Sequence, residues 1–390
     1  MTIPQKFDTI RPFEPEELPE VFDRLLADTQ FQSVVKYLYP DVPFEMIAQK
    51  MRACKTSMDF QLAFCYDFLK NLMAKASKGF DMDVQSIDTS KRYTFLSNHR
   101  DIVLDSALLD VLLVEAGFKT TCEIAIGDNL LSLPWVKDLV RVNKSFIVER
   151  SLAPRQMLMA SKRLAEYMHF VISEKKDNIW IAQREGRAKD SNDRTQSAIL
   201  KMMAMAAADN QPTESPVERL HQLHIVPLSI SYEFDPCDFL KAREFQLKRD
   251  VEGWKKTKQD DVISMRTGIL GYKGRVHYHC AACIDEYLEQ LPPDISKSNV
   301  FDIISKHIDE EIHRNYLLYP NNYIALDMIS GTDAFCHEYT TKDKECFMGY
   351  LNAQLAKIDN LPNKDEAFLR EKLYEMYNYP VINYRKSLKS

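Results

Sequence analysis

The chain has 390 residues, of which 45% are hydrophobic and 28% are charged, as is typical of a soluble globular protein with a sizeable core. Its formal net charge of -6 argues against a strongly basic surface that binds nucleic acid. The most apolar stretch, 102–117, is interrupted by carboxylates, and the N-terminus shows no secretory signal pattern. We therefore expect neither a membrane-spanning nor a secreted protein, whereas contact with a membrane surface remains open.

The first 80 residues show helical periodicity that is interrupted at Pro40, Pro43 and Gly79. Helices are predicted at 17–27, 30–38, 44–54 and 58–76. The last of these is apolar on two faces, which is typical of a helix packed inside a bundle, with a membrane surface as the alternative.

From residue 90 onward, strands and helices alternate. Strands are predicted at 93–96, 122–126, 145–148, 178–182 and 225–232, with helices at 102–116, 154–174 and 193–208. This alternation predicts an α/β fold, in which a mixed sheet is covered by helices. We expect an N-terminal helical domain (1–82), an α/β core (83–240) and a mostly helical C-terminal extension (241–390) that packs on the core. The extension includes an amphipathic helix at 301–314 and one added strand near 274–279.

The eight cysteines are scattered along the chain, as expected for reduced cytosolic thiols. Cys280 and Cys283 form a C-x-x-C pair just after His277 and His279. A structural zinc site usually needs a second pair at suitable spacing, and the sequence has none. We therefore expect a strand that runs into a helix here, and no metal site.

The segment from Ser97 to Asp105 ends a predicted strand and opens a predicted helix. A histidine at the end of a strand can project into a cleft at the carboxyl edge of a sheet. A carboxylate at the start of the helix can accept the Nδ1–H of His99, which leaves Nε2 to act as a general base. Any exposed His beside an Asp would look similar, so this segment alone is a weak signal.

Cationic residues follow two later strands of the predicted sheet. Arg150 lies just past 145–148, and Arg187 and Lys189 lie just past 178–182, where Gly186 allows close backbone approach. The apolar strand 225–232 would form an apolar wall of the same site. Each cation alone could be an ordinary surface charge, but their recurrence at successive strand ends favours a site that holds a phosphate.

These segments, in this order and spacing, resemble the four sequence blocks of the glycerolipid acyltransferases. The matching residues are Asn98-His99 through Asp105, the strand around Phe146-Ile147 up to Arg150, Glu185-Gly186-Arg187, and Val226-Pro227-Leu228. The resemblance covers roughly residues 90–235, and the helical leader more weakly resembles the soluble plastid-type glycerol-3-phosphate acyltransferases.

The resemblance implies an O-acyltransferase in phospholipid biosynthesis. His99 would deprotonate a glycerol hydroxyl while Asp105 orients the imidazole, and the oxygen would attack the thioester of acyl-CoA or acyl carrier protein. Arg150, Arg187, Lys189 and Arg100 would hold the acceptor phosphate, and Glu185 and Gly186 would shape the loop. This chemistry needs no metal and no cofactor beyond the thioester co-substrate.

The expected acceptor is 1-acylglycerol 3-phosphate, with glycerol 3-phosphate or another lysolipid as alternatives. The implied location is cytoplasmic, peripheral at the inner face of a membrane. The aromatic segment 60–68 and the basic segment 241–258 are candidates for docking, and core packing or a solvated surface explains each equally well.

The sequence departs from the family pattern in two places. Asp105 lies six residues after His99, one more than usual, and Asp101 lies two after, so either carboxylate could orient the imidazole. Ala188 and Lys189 stand where the family often has Ser and Arg, which alters the phosphate geometry but not its charge. The altered spacing leaves a catalytically impaired lipid-binding protein of the same fold as an alternative. A hydrolase has little support, because we find no G-x-S-x-G motif.

Overall fold

A computed structural model describes residues 3–150, 152–205, 215–292, 295–296, 299–359 and 361–389. Its centre is a seven-stranded mixed sheet with the order β1-β7-β6-β2-β5-β3-β4. The strands are β1 Gly79–Asp83, β2 Thr94–Ser97, β3 Cys122–Gly127, β4 Ser145–Val148, β5 Asn178–Ala182, β6 Ile225–Tyr232 and β7 Arg275–Cys280. All neighbours pair in parallel except β6 and β7, which are antiparallel. The mixed sheet and every predicted strand are thereby confirmed.

Helices precede the sheet, cover both of its faces and follow it. Those before the sheet are α1 Leu18–Ala27, α2 Thr29–Leu38, α3 Phe44–Ala53, α4 Ser57–Phe60 and α5 Asp67–Ala76. A π-helical turn, Gln61–Tyr66, joins α4 to α5. Those between strands are α6 Leu104–Glu115, α7 Pro134–Val142, α8 Pro154–Phe170, α9 Ser197–Met203, α10 Pro216–His221, α11 Asp238–Asp250 and α12 Lys258–Leu270. The remaining helices are α13 Asp285–Glu289, α14 Val300–Arg314, α15 Pro320–Ser330, α16 Thr341–Ala356 and α17 Glu366–Ser387.

The core lies on the two faces of the sheet because strand residues alternate between them. Phe95 packs with α5 and α6 on one face, whereas its neighbour Leu96 packs with α8, α9 and α14 on the other. The N-terminal helices and the C-terminal helices each build a further apolar cluster. Helix α6 is buried on nearly every side, which places its first turn deep against the sheet.

Two elements differ from the sequence prediction. Strand β1 was not predicted, and of the helix expected at 193–208 only Ser197–Met203 is helical, with 206–208 lying outside the described residues. Among the described residues, no helix is both long enough and apolar enough to cross a membrane.

Candidate functional site

The predicted site residues follow strands that end at one edge of the sheet. Strands β2 to β6 run parallel to one another, so their carboxyl ends share that edge. His99 follows β2, Arg150 follows β4, and the segment from Glu185 to Lys189 follows β5.

The centre of the site is a contact between His99 and Asp105. The imidazole Nδ1 lies 2.8 Å from Asp105 Oδ2, and the two side chains are 13% and 0% exposed. The same oxygen accepts the backbone N–H groups of Arg100 at 2.6 Å and Asp101 at 3.0 Å. A carboxylate on Nδ1 favours the tautomer in which Nδ1 carries the proton, so Nε2 remains able to accept one. The structure thus places Asp105, and not Asp101, on the imidazole.

Asp101 lies in the turn between His99 and Asp105 and has a different role. Its Oδ1 accepts the backbone N–H groups of Val103 at 2.9 Å and Leu104 at 2.8 Å, which caps the start of α6. This cap stabilises the turn that leads from His99 into α6. Asp105 therefore reaches His99 from the first turn of the helix.

Two neighbouring side chains hold the imidazole in position. Asn98 is fully buried and bonds both backbone groups of Ile230 on β6, through Nδ2 at 2.9 Å and Oδ1 at 2.8 Å. This pair ties the end of β2 to β6 just before His99. Trp180 on β5 contacts the imidazole edge to face, with ring centroids 5.6 Å apart, and its Nε1 donates to Ser97 Oγ at 3.0 Å.

Arg100 is buried beside this pair, and its side chain bonds to residues far along the chain. Its Nη2 donates to Asp193 at 2.6 Å, and Tyr316 donates to the same carboxylate oxygen at 2.9 Å. Burial opposes the positive charge, but Asp193 and the other surrounding groups hold the pKa of Arg100 above its usual value. Within the described part of the chain, Arg100 Nη1 has no hydrogen-bond partner.

Arg187 shows the same combination of burial and an unused donor. The residue is 8% exposed, and its Nη1 finds no hydrogen-bond partner among the residues that the structure describes. Burial again opposes the charge, whereas Cys237, Asp101 and Asp235 raise the pKa of the guanidinium. Buried donors without a partner are rare in folded proteins and are explained by a water molecule, an ion or a ligand.

Arg150 is the most accessible of the predicted cations. Its side chain is 34% exposed and contacts the carboxylate of Glu185, which is 70% exposed, at 3.5 Å. The guanidinium lies over Gly127, where an added Cβ would come within 2.9 Å of Arg150 Nε. Gly186 has a φ of +66°, a left-handed conformation that glycine adopts without strain. An added Cβ at Gly186 would meet nothing within 4 Å, so the backbone of the turn after β5 is uncovered at this residue.

Lys189 is partly buried and forms an ion pair with Glu244 on α11. Burial lowers the pKa of Lys189 to about 8, although Glu244 favours the charged form. The positive charge of this side chain therefore depends on pH near pH 8.

An apolar cavity of about 390 Å³ lies between the N-terminal helices and α6. Its volume falls within the range of about 300–1,000 Å³ that is typical of small-molecule sites. The apolar lining residues include Val35, Phe64, Leu69, Ala107 and Val111. The aromatic segment 60–68, expected either to dock on a membrane or to pack internally, contributes to this wall.

One corner of the cavity is polar. Gln61 Nε2 donates to Asp110 at 3.1 Å, and Thr121 donates to Gln61 Oε1 at 2.7 Å. Burial raises the pKa of Asp110 to about 7. The π-helical turn Gln61–Tyr66 lies in the same wall, and such turns are frequent at functional sites.

Several supporting residues had no signal in the sequence. Asp193 bonds Arg100 across 93 positions, and Tyr316 bonds Asp193 across 123 positions. Tyr278 on β7 donates to the backbone oxygen of Asp105 on α6 at 2.9 Å. No motif marks these residues, and only the topology brings them to the site.

Residues 81–231 match the sequence model of the acyltransferase family. Among solved structures, the 1-acyl-sn-glycerophosphate (LPA) acyltransferase PlsC from Thermotoga maritima is similar to this chain, at 12% sequence identity. The TM-score is 0.36, and the alignment covers 76% of this chain and 95% of that chain. No curated protein sequence matches the chain. The matched range includes all four segments of the sequence resemblance, which is confirmed at the level of the acyltransferase family.

Proposed function

Because residues 81–231 match the model of the acyltransferase family, we propose that the protein transfers a fatty acyl group from a thioester to a hydroxyl of a phosphate-bearing glycerol lipid. The observation that carries the proposal is the contact of His99 Nδ1 with Asp105 Oδ2 at 2.8 Å, at the carboxyl edge of the sheet. Asp105 is fixed by two backbone amides, so it orients the imidazole without moving itself.

The reaction that follows from this geometry needs no covalent enzyme intermediate. His99 Nε2 takes the proton of the acceptor hydroxyl as its oxygen attacks the thioester carbonyl. The C–S bond then breaks, and the thiolate leaves with the proton that the imidazolium returns. Asp105 stabilises the imidazolium between these two steps. Acyl-CoA and acyl carrier protein are both chemically competent donors.

We assign the acceptor phosphate to the cations that surround His99 and Asp105. Arg150 offers an accessible guanidinium, and Arg100 and Arg187 each hold an Nη1 donor without a partner in the described structure. Lys189 adds charge that burial makes dependent on pH. We favour 1-acylglycerol 3-phosphate as the acceptor over glycerol 3-phosphate and other lysolipids, because the four sequence blocks resemble the general family rather than one subfamily.

The acyl chain is assigned to the apolar cavity beside α6. This helix begins immediately after the turn that follows His99, here called the catalytic turn, and its residues Ala107 and Val111 line the cavity. A chain held there would lie next to the helix that carries Asp105. Both acceptor and product would be lipids, so the proposal includes peripheral contact with the cytoplasmic face of a membrane.

The function is tested by a radiolabelled transfer assay that crosses two donors, acyl-CoA and acyl carrier protein, with two acceptors, 1-acylglycerol 3-phosphate and glycerol 3-phosphate. Wild-type protein is expected to acylate the lysolipid, and His99→Ala is expected to lose about 10²–10⁴-fold in rate, the usual contribution of a general base. Binding of the lysolipid without transfer by wild type would favour the impaired lipid-binding protein instead. Release of free fatty acid to water would favour a hydrolase.

A further inference from the structure

Three potential metal ligands meet at the edge of the sheet opposite His99. His224 lies in the turn before β6, and Cys283 and Asp285 lie where β7 leads into α13. One ligand atom from each residue can be chosen such that all three lie within 4.8 Å of one another. Strands β6 and β7 are antiparallel, so the start of one and the end of the other share this edge.

The carboxylate of Asp285 interacts with both of the other side chains, the His224 imidazole and the Cys283 thiol. Its Oδ2 lies 2.6 Å from His224 Nδ1, whereas its Oδ1 is buried and has no hydrogen-bond partner among the described residues. A buried acceptor without a partner calls for a water molecule or an ion. His224 also has a φ of +47°, a conformation that is uncommon outside glycine.

We propose that Cys283, His224 and Asp285 bind a Zn²⁺ ion, with a water molecule in the fourth position. Thiolate, imidazole and carboxylate are the ligands that zinc takes in proteins, commonly with tetrahedral geometry. The thiolate selects zinc over magnesium and calcium, which prefer oxygen ligands. Binding would release the thiol proton to solvent, since only the thiolate is a ligand.

This site differs from the H-x-H-C-x-x-C pattern in the sequence, from which no metal was expected. Cys280 is buried in the core on β7. His277 and His279 instead contact Asp81 and Asp83 on β1. Of the residues in that pattern, only Cys283 lies in the proposed site. Its two partners are His224, about 60 residues earlier in the chain, and Asp285.

The role that follows is structural and independent of acyl transfer. The ion would fasten the turn before β6 to the turn after β7, where Ile284 N–H already donates to the Ile225 oxygen at 2.9 Å. His99 follows the opposite end of the sheet. Zinc binding should therefore stabilise the fold without entering the reaction.

Cobalt is the probe for this site because a Co²⁺–thiolate bond absorbs in the near ultraviolet. Full-length protein stripped with a chelator is titrated with Co²⁺ and then with Zn²⁺. Wild type is expected to develop the charge-transfer band, and Zn²⁺ is expected to abolish it. Cys283→Ser should remove the band, whereas Cys346→Ser, which changes an exposed free cysteine on α16, should retain it.

Two further variants separate ligation from folding. His224→Ala and the isosteric Asp285→Asn should weaken Co²⁺ binding by at least about tenfold, since loss of even an outer-shell partner costs that much. Zinc should also raise the melting temperature of wild type but not of Cys283→Ser. Absence of the band in wild type, its survival in Cys283→Ser, or wild-type affinity in a folded Asp285→Asn would each overturn the proposal.

Discussion

Asp105 Oδ2 accepts from three donors at once, namely His99 Nδ1 and the backbone N–H groups of Arg100 and Asp101. Such a carboxylate cannot rotate without leaving buried donors unpaired, which would cost about 1–3 kcal/mol for each. The imidazole is therefore held by a group that is itself fixed. This arrangement is suited to general-base catalysis, in which the proton acceptor must already be oriented.

The first prediction distinguishes the two carboxylates near His99. Asp105→Asn offers one oxygen and one amide to three donors, so it should disturb the tautomer of His99 and lower kcat by about 10²–10⁴-fold. Asp101→Asn should retain most of the activity, because asparagine caps a helix as well as aspartate does. Initial rates and circular dichroism of both variants check this. Equal losses in the two folded variants would contradict the role assigned to Asp105.

The second prediction concerns the charge of Lys189. Its pKa is lowered to about 8 by burial, so the side chain is cationic below that pH and neutral above it. If it holds the acceptor phosphate, the KM for the acceptor should rise by roughly tenfold between about pH 7 and pH 9, as a charged hydrogen bond of about 1.5–3 kcal/mol is lost.

Lys189→Arg is the control for this pH effect, because arginine stays protonated over the whole range. Its KM profile should be flatter than that of wild type. Parallel profiles in the two proteins would show that Lys189 does not contact the phosphate.

At the scale of elements, local patterns predicted most of the fold. The buried parallel strands have continuous or alternating apolar residues, so their positions could be predicted. Strand β1 could not, because it is an edge strand with no fully buried residue and only Phe80 and Met82 as large apolar side chains. The segment 193–196 was predicted as helix, but it is not helical, and tertiary bonds such as that of Thr195 N–H to Asp309 at 2.7 Å hold it in place.

The candidate site shows the same difference between local patterns, which could be predicted, and long-range contacts, which could not. His99 and Asp105 are close in sequence, so their pairing could be proposed from spacing alone. The pairing of Arg100 with Asp193 joins the loops that follow β2 and β5, 93 positions apart, and has no local signal. Sequence patterns identify groups that a single turn brings together, whereas contacts between loops depend on the topology.

The third prediction concerns helix α12, which packs on the catalytic turn through Gly268. A Cβ at this position would lie 1.8 Å from Asp101 Oδ2, while the other oxygen of Asp101 is fixed by two backbone donors. Gly268→Ala should therefore destabilise the protein by about 1–3 kcal/mol, as overpacking does. It should also lower activity by shifting the turn that carries His99.

Gly349 on α16 provides the matched control, because its added Cβ would meet nothing within 4 Å. Gly349→Ala should stabilise the fold by about 0.5–1 kcal/mol, the usual gain in a helix. Urea unfolding of both variants measures whether each substitution lowers or raises the free energy of unfolding. A stabilising Gly268→Ala would show that the turn can move without cost.

At the scale of the whole molecule, the N-terminal helices complete a pocket that the α/β core alone would leave open. The cavity has one wall from α2 to α5, including the π-helical turn, and another from α6. Under the proposed function, this arrangement explains why helices precede an acyltransferase sheet. They would cover the acyl chain on the side of α6 that faces away from the sheet.

The last prediction follows from this shared pocket. Ala107 is half-buried on α6 and lines the cavity, so Ala107→Phe should shorten the space available to the acyl chain. Excluding about two methylenes costs about 1.6 kcal/mol, roughly tenfold in kcat/KM, at about 0.8 kcal/mol for each buried methylene. The kcat/KM for long-chain donors should fall by this factor, whereas that for short-chain donors should stay at the wild-type value. Ala353→Phe, the same change on the exposed face of α16, should leave the chain-length profile unaltered. If Ala107→Phe lowers the rates with all chain lengths equally, or with none, the acyl chain lies elsewhere and the N-terminal helices have another role.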